Sequence, residues 1–163
     1  MGMGTLASCG YHVGEKADLM PKNIRTISIP AFSTLTTRYR LIDILPREIG
    51  REFNERTRFR IVNNPAEADA VLSGSINAVS AFPTIFDPAS GKASVVQLGV
   101  VMTVTLHERS TGRVLYSRAN WSIRESYQVA INPDQLFDES DPAIDRFSRD
   151  AARDIVASIV ENF

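Results

Sequence analysis

The chain has 163 residues, 44% hydrophobic and 23% charged, with a net charge of −1 and one cysteine. A chain this long makes one domain that can bury a core without disulfides or a metal. Near-neutral charge excludes a chain-wide polyanion binder though not a local basic patch, one cysteine excludes an intrachain disulfide or a cysteine metal cluster, and two histidines exclude an all-histidine metal site.

Charge is unevenly spread. Residues 38–60 carry seven arginines against four acids, and residues 129–163 carry eight acids against three arginines. Arginine outnumbers lysine fifteen to three, and guanidinium is the better fork for phosphate and carboxylate.

The first segment holds the only cysteine, in Leu6-Ala7-Ser8-Cys9. An aliphatic residue and two small ones before Cys is the cleavage pattern of a bacterial lipoprotein signal peptide, after which the cysteine is acylated. Cys9 is therefore the expected lipidation site, the alternative being a free thiol. A signal peptide also needs a basic region and about 7–15 apolar residues. The eight residues before Cys9 contain neither, so residues 1–23 read as a truncated signal remnant, the cysteine and a polar tether. Attachment through such an anchor needs more than one acyl chain.

Residues 25–29 (RTISI) alternate as a strand with Ile27 and Ile29 inward, and Pro30 ends it. Residues 31–37 form a Ser/Thr-rich loop. From about 38 to 56, Ile42, Leu45, Ile49 and Phe53 recur at helical spacing. Pro46 lies inside this pattern, so the helix either starts near Asp43 or kinks at the proline. Residues 59–62 make a short strand and 65–68 a turn. A long strand spans 70–82, with Leu72, Gly74, Ile76 and Ala78 on one side, and a proline-containing loop follows over 83–92. Residues 93–107 alternate cleanly, with Val96 to Leu106 on one face, and Ser110-Thr111-Gly112 turns the chain. The next strand, 113–127, has Leu115, Trp121 and Ile123 inward. An acidic loop over 132–142 leads to an amphipathic helix, 145–162, with Phe147, Ala151, Ile155 and Ile159 on its stripe.

The order is β-α-β-β-β-β-α. Consecutive strands argue antiparallel pairing. The expected fold is a single α+β domain over 24–163, a two-layer sandwich. It has a mostly antiparallel sheet of four to five strands and two helices on one face.

No catalytic pattern is present. His12 lies in the tether and His107 ends a strand, without partners at metal spacing. Ser73-Gly74-Ser75 lacks the context of a nucleophile elbow. Asp134, Asp138, Glu139 and Asp141 lack the ligand alternation of a calcium loop. The basic residues of the last hairpin carry more weight. Arg118 and Arg124 share strand parity, with Asn120 and Ser122 between them, and Lys92 precedes the hairpin. Such a face either meets phosphate or is a solvated strand surface.

Several segments together carry a resemblance. Cys9-Gly-Tyr-His, residues 24–32 (IRTISIPAF), Arg51-Glu-Phe53 through residues 58–62 (RFRIV), residues 66–74 (AEADAVLSG) and residues 111–116 (TGRVLY) resemble the LptE family of lipopolysaccharide-assembly lipoproteins. The resemblance implies a non-enzymatic outer-membrane lipoprotein, lipid-anchored on the periplasmic side. It implies no cofactor, metal or nucleic acid. Its partners would be an LptD-like β-barrel, which it plugs and helps assemble, and lipopolysaccharide. Lys92, Arg118 and Arg124 are the candidate lipopolysaccharide-binding residues. Residues 27–32 before an Arg/Glu helix also look like LpoB-type lipoproteins that activate a peptidoglycan synthase, the alternative from another class.

Overall fold

The computed structural model describes residues 21–36, 39–131 and 142–163. The expectations placed on Cys9, His12 and the acidic residues 134–141 lie outside the described residues.

Strands β1 (Thr26–Ser28), β2 (Ser33–Thr34), β3 (Arg60–Val62), β4 (Ala70–Phe86), β5 (Ala93–Glu108) and β6 (Val114–Ile131) form one sheet, ordered β3-β1-β4-β5-β6, with β2 beside β4. Helices α1 (Tyr39–Arg56) and α2 (Pro142–Glu161) complete the fold. It is α+β, as expected. The sheet is mixed: β1 pairs parallel with β3 and β4, and β2 parallel with β4, while β4-β5-β6 run as a long antiparallel meander. The β1-α1-β3 crossover makes the parallel edge, because a helix returns the chain to the same end of the sheet. The loop expected over 31–37 contains β2. Two residues carry no period, so local pattern cannot reveal such a strand.

Pro46 neither starts nor breaks α1. Its ring removes the N–H that would bond the Ile42 carbonyl. The Phe32 N–H donates to that carbonyl instead, at 3.3 Å. The substitute donor also ties the β1–β2 connection to the helix. Phe32 is buried in turn, and it occupies the space over Gly74, where a Cβ would lie 2.4 Å from the ring.

The core lies between the helices and one sheet face. Leu45, Ile49 and Phe53 of α1 and Phe147, Ala151, Ile155 and Ile159 of α2 are fully buried against Ile27, Leu72, Met102, Val104 and Leu106. Ile42, expected among them, is only partly buried, and Leu41 and Ile44 are buried instead. At 3.6 residues per turn a broad stripe accommodates the neighbours of any single i, i+3/i+4 row. Helix α2 is pinned to β6 by Tyr116 Oη with Ser158 Oγ at 2.8 Å and by the Tyr127 hydroxyl donating to Asp150 at 3.0 Å. Its first-turn Asp145, where a carboxylate favours the helix dipole, also takes the Arg40 guanidinium at 2.8 Å.

Bulges overturn three parity expectations. One at Asn77 moves Ala78 off the face of Leu72, Gly74 and Ile76. Strand β4 also runs on through Pro83 to Phe86, where a loop was expected. Beyond Ile76 it pairs with β5 alone, an edge position that tolerates proline. On β6, Tyr116 faces the core opposite Leu106 while Leu115 is only half-buried. The third correction concerns the arginines.

Candidate functional site

Two hairpin turns join the meander, and both are built alike. In the first, Asp87 N–H donates to the Lys92 carbonyl at 2.9 Å and Gly91 N–H to the Asp87 carbonyl at 2.8 Å. In the second, Glu108 N–H donates to the Arg113 carbonyl at 2.8 Å and Gly112 N–H to the Glu108 carbonyl at 2.9 Å. Gly91 and Gly112 both sit at positive φ, 67° and 71°, where glycine carries no Cβ penalty. A hydroxyl caps each acid: Ser90 donates to Asp87 at 2.7 Å, and Thr111 to Glu108 at 2.5 Å. These hydroxyls are the leading cause that holds both carboxyls below their ordinary range.

Lys92 closes the first turn, where it is exposed. From the register row Phe82–Gln97–Ser126 to the tip, the hairpin carries Phe82, Ile85 and Phe86 at 59%, 56% and 48% exposure on its β4 arm. Ile85 and Phe86 fall in the segment expected as a loop from its two prolines and turn residues. Their apolar spacing was the available signal.

Arg118 and Arg124 do not share a face. Arg118 pairs with Val104 and Arg124 with Gly99, with a bulge in which Ala119 and Asn120 oppose Thr103 alone. Asn120 takes φ 51°, the left-handed region that Asn tolerates better than most residues. One extra residue in a period of two inverts everything beyond it. Arg118 thus lies at the margin of the helix-packed face, its guanidinium 4.1 Å over the Trp121 ring. Arg124 projects from the opposite face beside Ser122 and Ser126. At roughly 3.3 Å per residue, the five steps along β5 from Gly99 to Val104 separate the two arginines by about 17 Å. Lys92 lies a further ~23 Å from Arg124. The structure does not bring the three into one site.

The face away from the helices is rich in hydroxyls and amides. Ser73, Ser75, Asn77, Thr103, Thr105 and Ser117 face one another across β4, β5 and β6. Asn77 donates to Thr103 at 3.3 Å, and Thr105 and Ser117 share a 3.2 Å bond. Among the described residues no three metal-ligating side chains converge, and no helix is long and apolar enough to cross a membrane.

The model of the lipopolysaccharide-assembly family LptE matches residues 24–159. The chain belongs to the LptE family. No curated protein matches it. Among solved structures, a protein from Xanthomonas campestris is similar at 10% identity and TM-score 0.57, over 85% of each chain. A hypothetical protein from Chlamydia trachomatis is similar at 10% identity and TM-score 0.54, over 83% of this chain and 95% of that one. A lipoprotein from Caulobacter crescentus is similar at 14% identity and TM-score 0.52, over 82% and 87%. At these identities the likeness shows the fold alone. Membership of the family agrees with the resemblance carried by residues 24–32, 66–74 and 111–116.

Proposed function

We propose that the protein is a non-catalytic outer-membrane lipoprotein anchored through Cys9, which plugs and helps assemble an LptD-like β-barrel and binds lipopolysaccharide. The observation that carries the reading is the family match across residues 24–159. The open sheet face supports it. Small hydroxyl and amide side chains let a lumen wall approach closely and exchange hydrogen bonds, and the helices leave that face uncovered.

Lys92, Arg118 and Arg124 act as separate contacts along an elongated amphiphile, not as one phosphate clasp. Lys92 and Arg124 carry more of the binding than Arg118, whose charge is already engaged with the Trp121 ring. Charge-assisted bonds to phosphate contribute roughly 1.5–3 kcal/mol when shielded and less when exposed.

The test is co-purification. With an upstream signal sequence supplied, wild type extracted from outer membranes should bring down a β-barrel. Cys9→Ala should lose fatty-acid label. Lys92→Ala and Arg124→Ala should weaken lipopolysaccharide binding and its salt dependence, with the barrel retained. Recovery of a peptidoglycan synthase in place of a barrel would favour the LpoB-like alternative.

A further inference from the structure

A cleft of about 590 Å³ opens where β1 and β3 begin, lined by Lys22, Ile24, Arg25, Thr26, Arg58, Phe59 and Arg60. That volume falls within the range of small-molecule sites. It lies at the parallel edge of the sheet, away from the β4–β5 hairpin tip and from β6. Its floor is apolar: Ile24 and Phe59 are 4% and 5% exposed. Its rim is cationic, with Lys22, Arg25, Arg58 and Arg60 all exposed.

Three of the rim's cations, Lys22, Arg25 and Arg60, differ from the other arginines of the molecule. Arg51 and Arg56 pair with Glu55 and Glu52, Arg40 with Asp145, Arg113 with Glu108 and Arg153 with Asp150. Lys22, Arg25 and Arg60 have no acid partner among the described residues. Backbone pairing holds them close, since Arg60 N–H donates to the Arg25 carbonyl at 3.0 Å and Thr26 registers with Arg60. The nearby carboxylate Asp69 lies outside the cleft lining and is held by Arg25 N–H, Thr26 N–H and the Thr26 hydroxyl, each donating to its Oδ2 at 2.9 Å. Lys22, Arg25 and Arg60 at one mouth repel one another and raise the local anion concentration. Guanidinium forks match the oxygens of a phosphate. Part of the arginine excess over residues 38–60 is thus gathered at one opening.

We propose that this cleft binds a phosphate group, with the cationic rim holding the phosphate oxygens and Ile24 and Phe59 accepting apolar atoms next to it. The site is distinct from Lys92, Arg118 and Arg124, and it does not depend on the barrel reading.

The phosphate can be free in solution or part of a lipid headgroup, and two probes separate these. The full chain is titrated with inorganic pyrophosphate, followed by the backbone amide signals of Arg25, Phe59 and Arg60. In parallel it is sedimented with vesicles of phosphatidylcholine alone or with phosphatidylglycerol. The Arg25→Gln/Arg58→Gln/Arg60→Gln variant is compared with wild type, and Lys92→Ala/Arg124→Ala serves as a control for general charge loss. The substituted side chains are exposed, and an unchanged thermal midpoint confirms folding. Saturable pyrophosphate shifts that the triple variant weakens by about tenfold or more support a free-phosphate site. Binding only to phosphatidylglycerol vesicles, lost in the triple variant and kept in the control, supports a headgroup site. No binding of either probe, or equal binding by the triple variant, overturns the proposal.

Discussion

The two hairpin turns share their local chemistry and differ in everything around them. Residues 87–92 and 108–113 both run from an acid, through a hydroxyl, to a glycine at positive φ and a base. Around Asp87, the described partners are the turn's own atoms. Glu108 is 5% exposed and also takes the Asn23 amide, 85 residues away, at 2.5 Å. Its neighbour Arg109 donates to the carbonyls of Ala68 and Asp69 at 2.7 and 2.9 Å. One turn is a free tip carrying exposed Phe82, Ile85 and Phe86, and the other is a joint that locks the meander to β1. Turn chemistry sets the reversal, while position in the fold sets whether the reversal is anchored.

The largest expected contrast lies between the packed end and the tip. Phe53→Ala and Ile155→Ala remove fully buried side chains and should each cost about 2–5 kcal/mol in chemical denaturation. Phe82→Ser, at the tip, should stay within about 0.5 kcal/mol. A tip loss comparable to the core losses would show that the first turn is anchored too. Next comes Gly74→Ala, expected to cost about 1–3 kcal/mol because the new Cβ collides with the buried Phe32 ring.

Gly91→Ala and Gly112→Ala sharpen the comparison from the other side. Neither new Cβ meets an atom within 4 Å, so only backbone strain remains. Each should cost about 1 kcal/mol and the two should agree. A much larger loss at Gly112 would mean that anchoring amplifies local strain.

The smallest contrast is in pH dependence. Backbone donors, led by Arg25 N–H, hold Asp69 below its ordinary range, and the Thr111 hydroxyl does so for Glu108. Both pKa values are lower folded than unfolded, so their stabilisation is present above the unfolded carboxylate range and is lost as pH falls through the folded values. Asp69→Asn/Glu108→Gln should therefore be less stable at pH 7 and show a shallower acid limb in denaturation midpoints. Glu125 has the opposite sign. Desolvation, then Asp150 and Asp154, raise its pKa, so its contribution is present below the unfolded value and lost as pH rises through the folded one. Glu125→Gln should stabilise slightly at pH 7, with the gain fading below about pH 4. A destabilised Glu125→Gln at neutral pH would break this reading.

The sequence by itself determined the helices, the three long strands, the second turn and the family. Those features are local and redundant: the stripes of α1 and α2, the alternation from Val96 to Leu106, and the Ser110-Thr111-Gly112 turn. The tertiary structure alone decided the parallel edge, β2, the course of β4 through Pro83, and the faces of Arg118 and Arg124. Strand parity has a period of two, so one bulge residue at Asn120 reversed the relation between the arginines without altering composition or propensity. Pro46 stayed inside α1 because Phe32, distant in pattern though near in sequence, supplied the missing donor to Ile42. The cationic cleft joins Lys22 and Arg25 to Arg58 and Arg60 through parallel pairing of β1 and β3. That pairing follows from where α1 returns the chain, which no window of residues records.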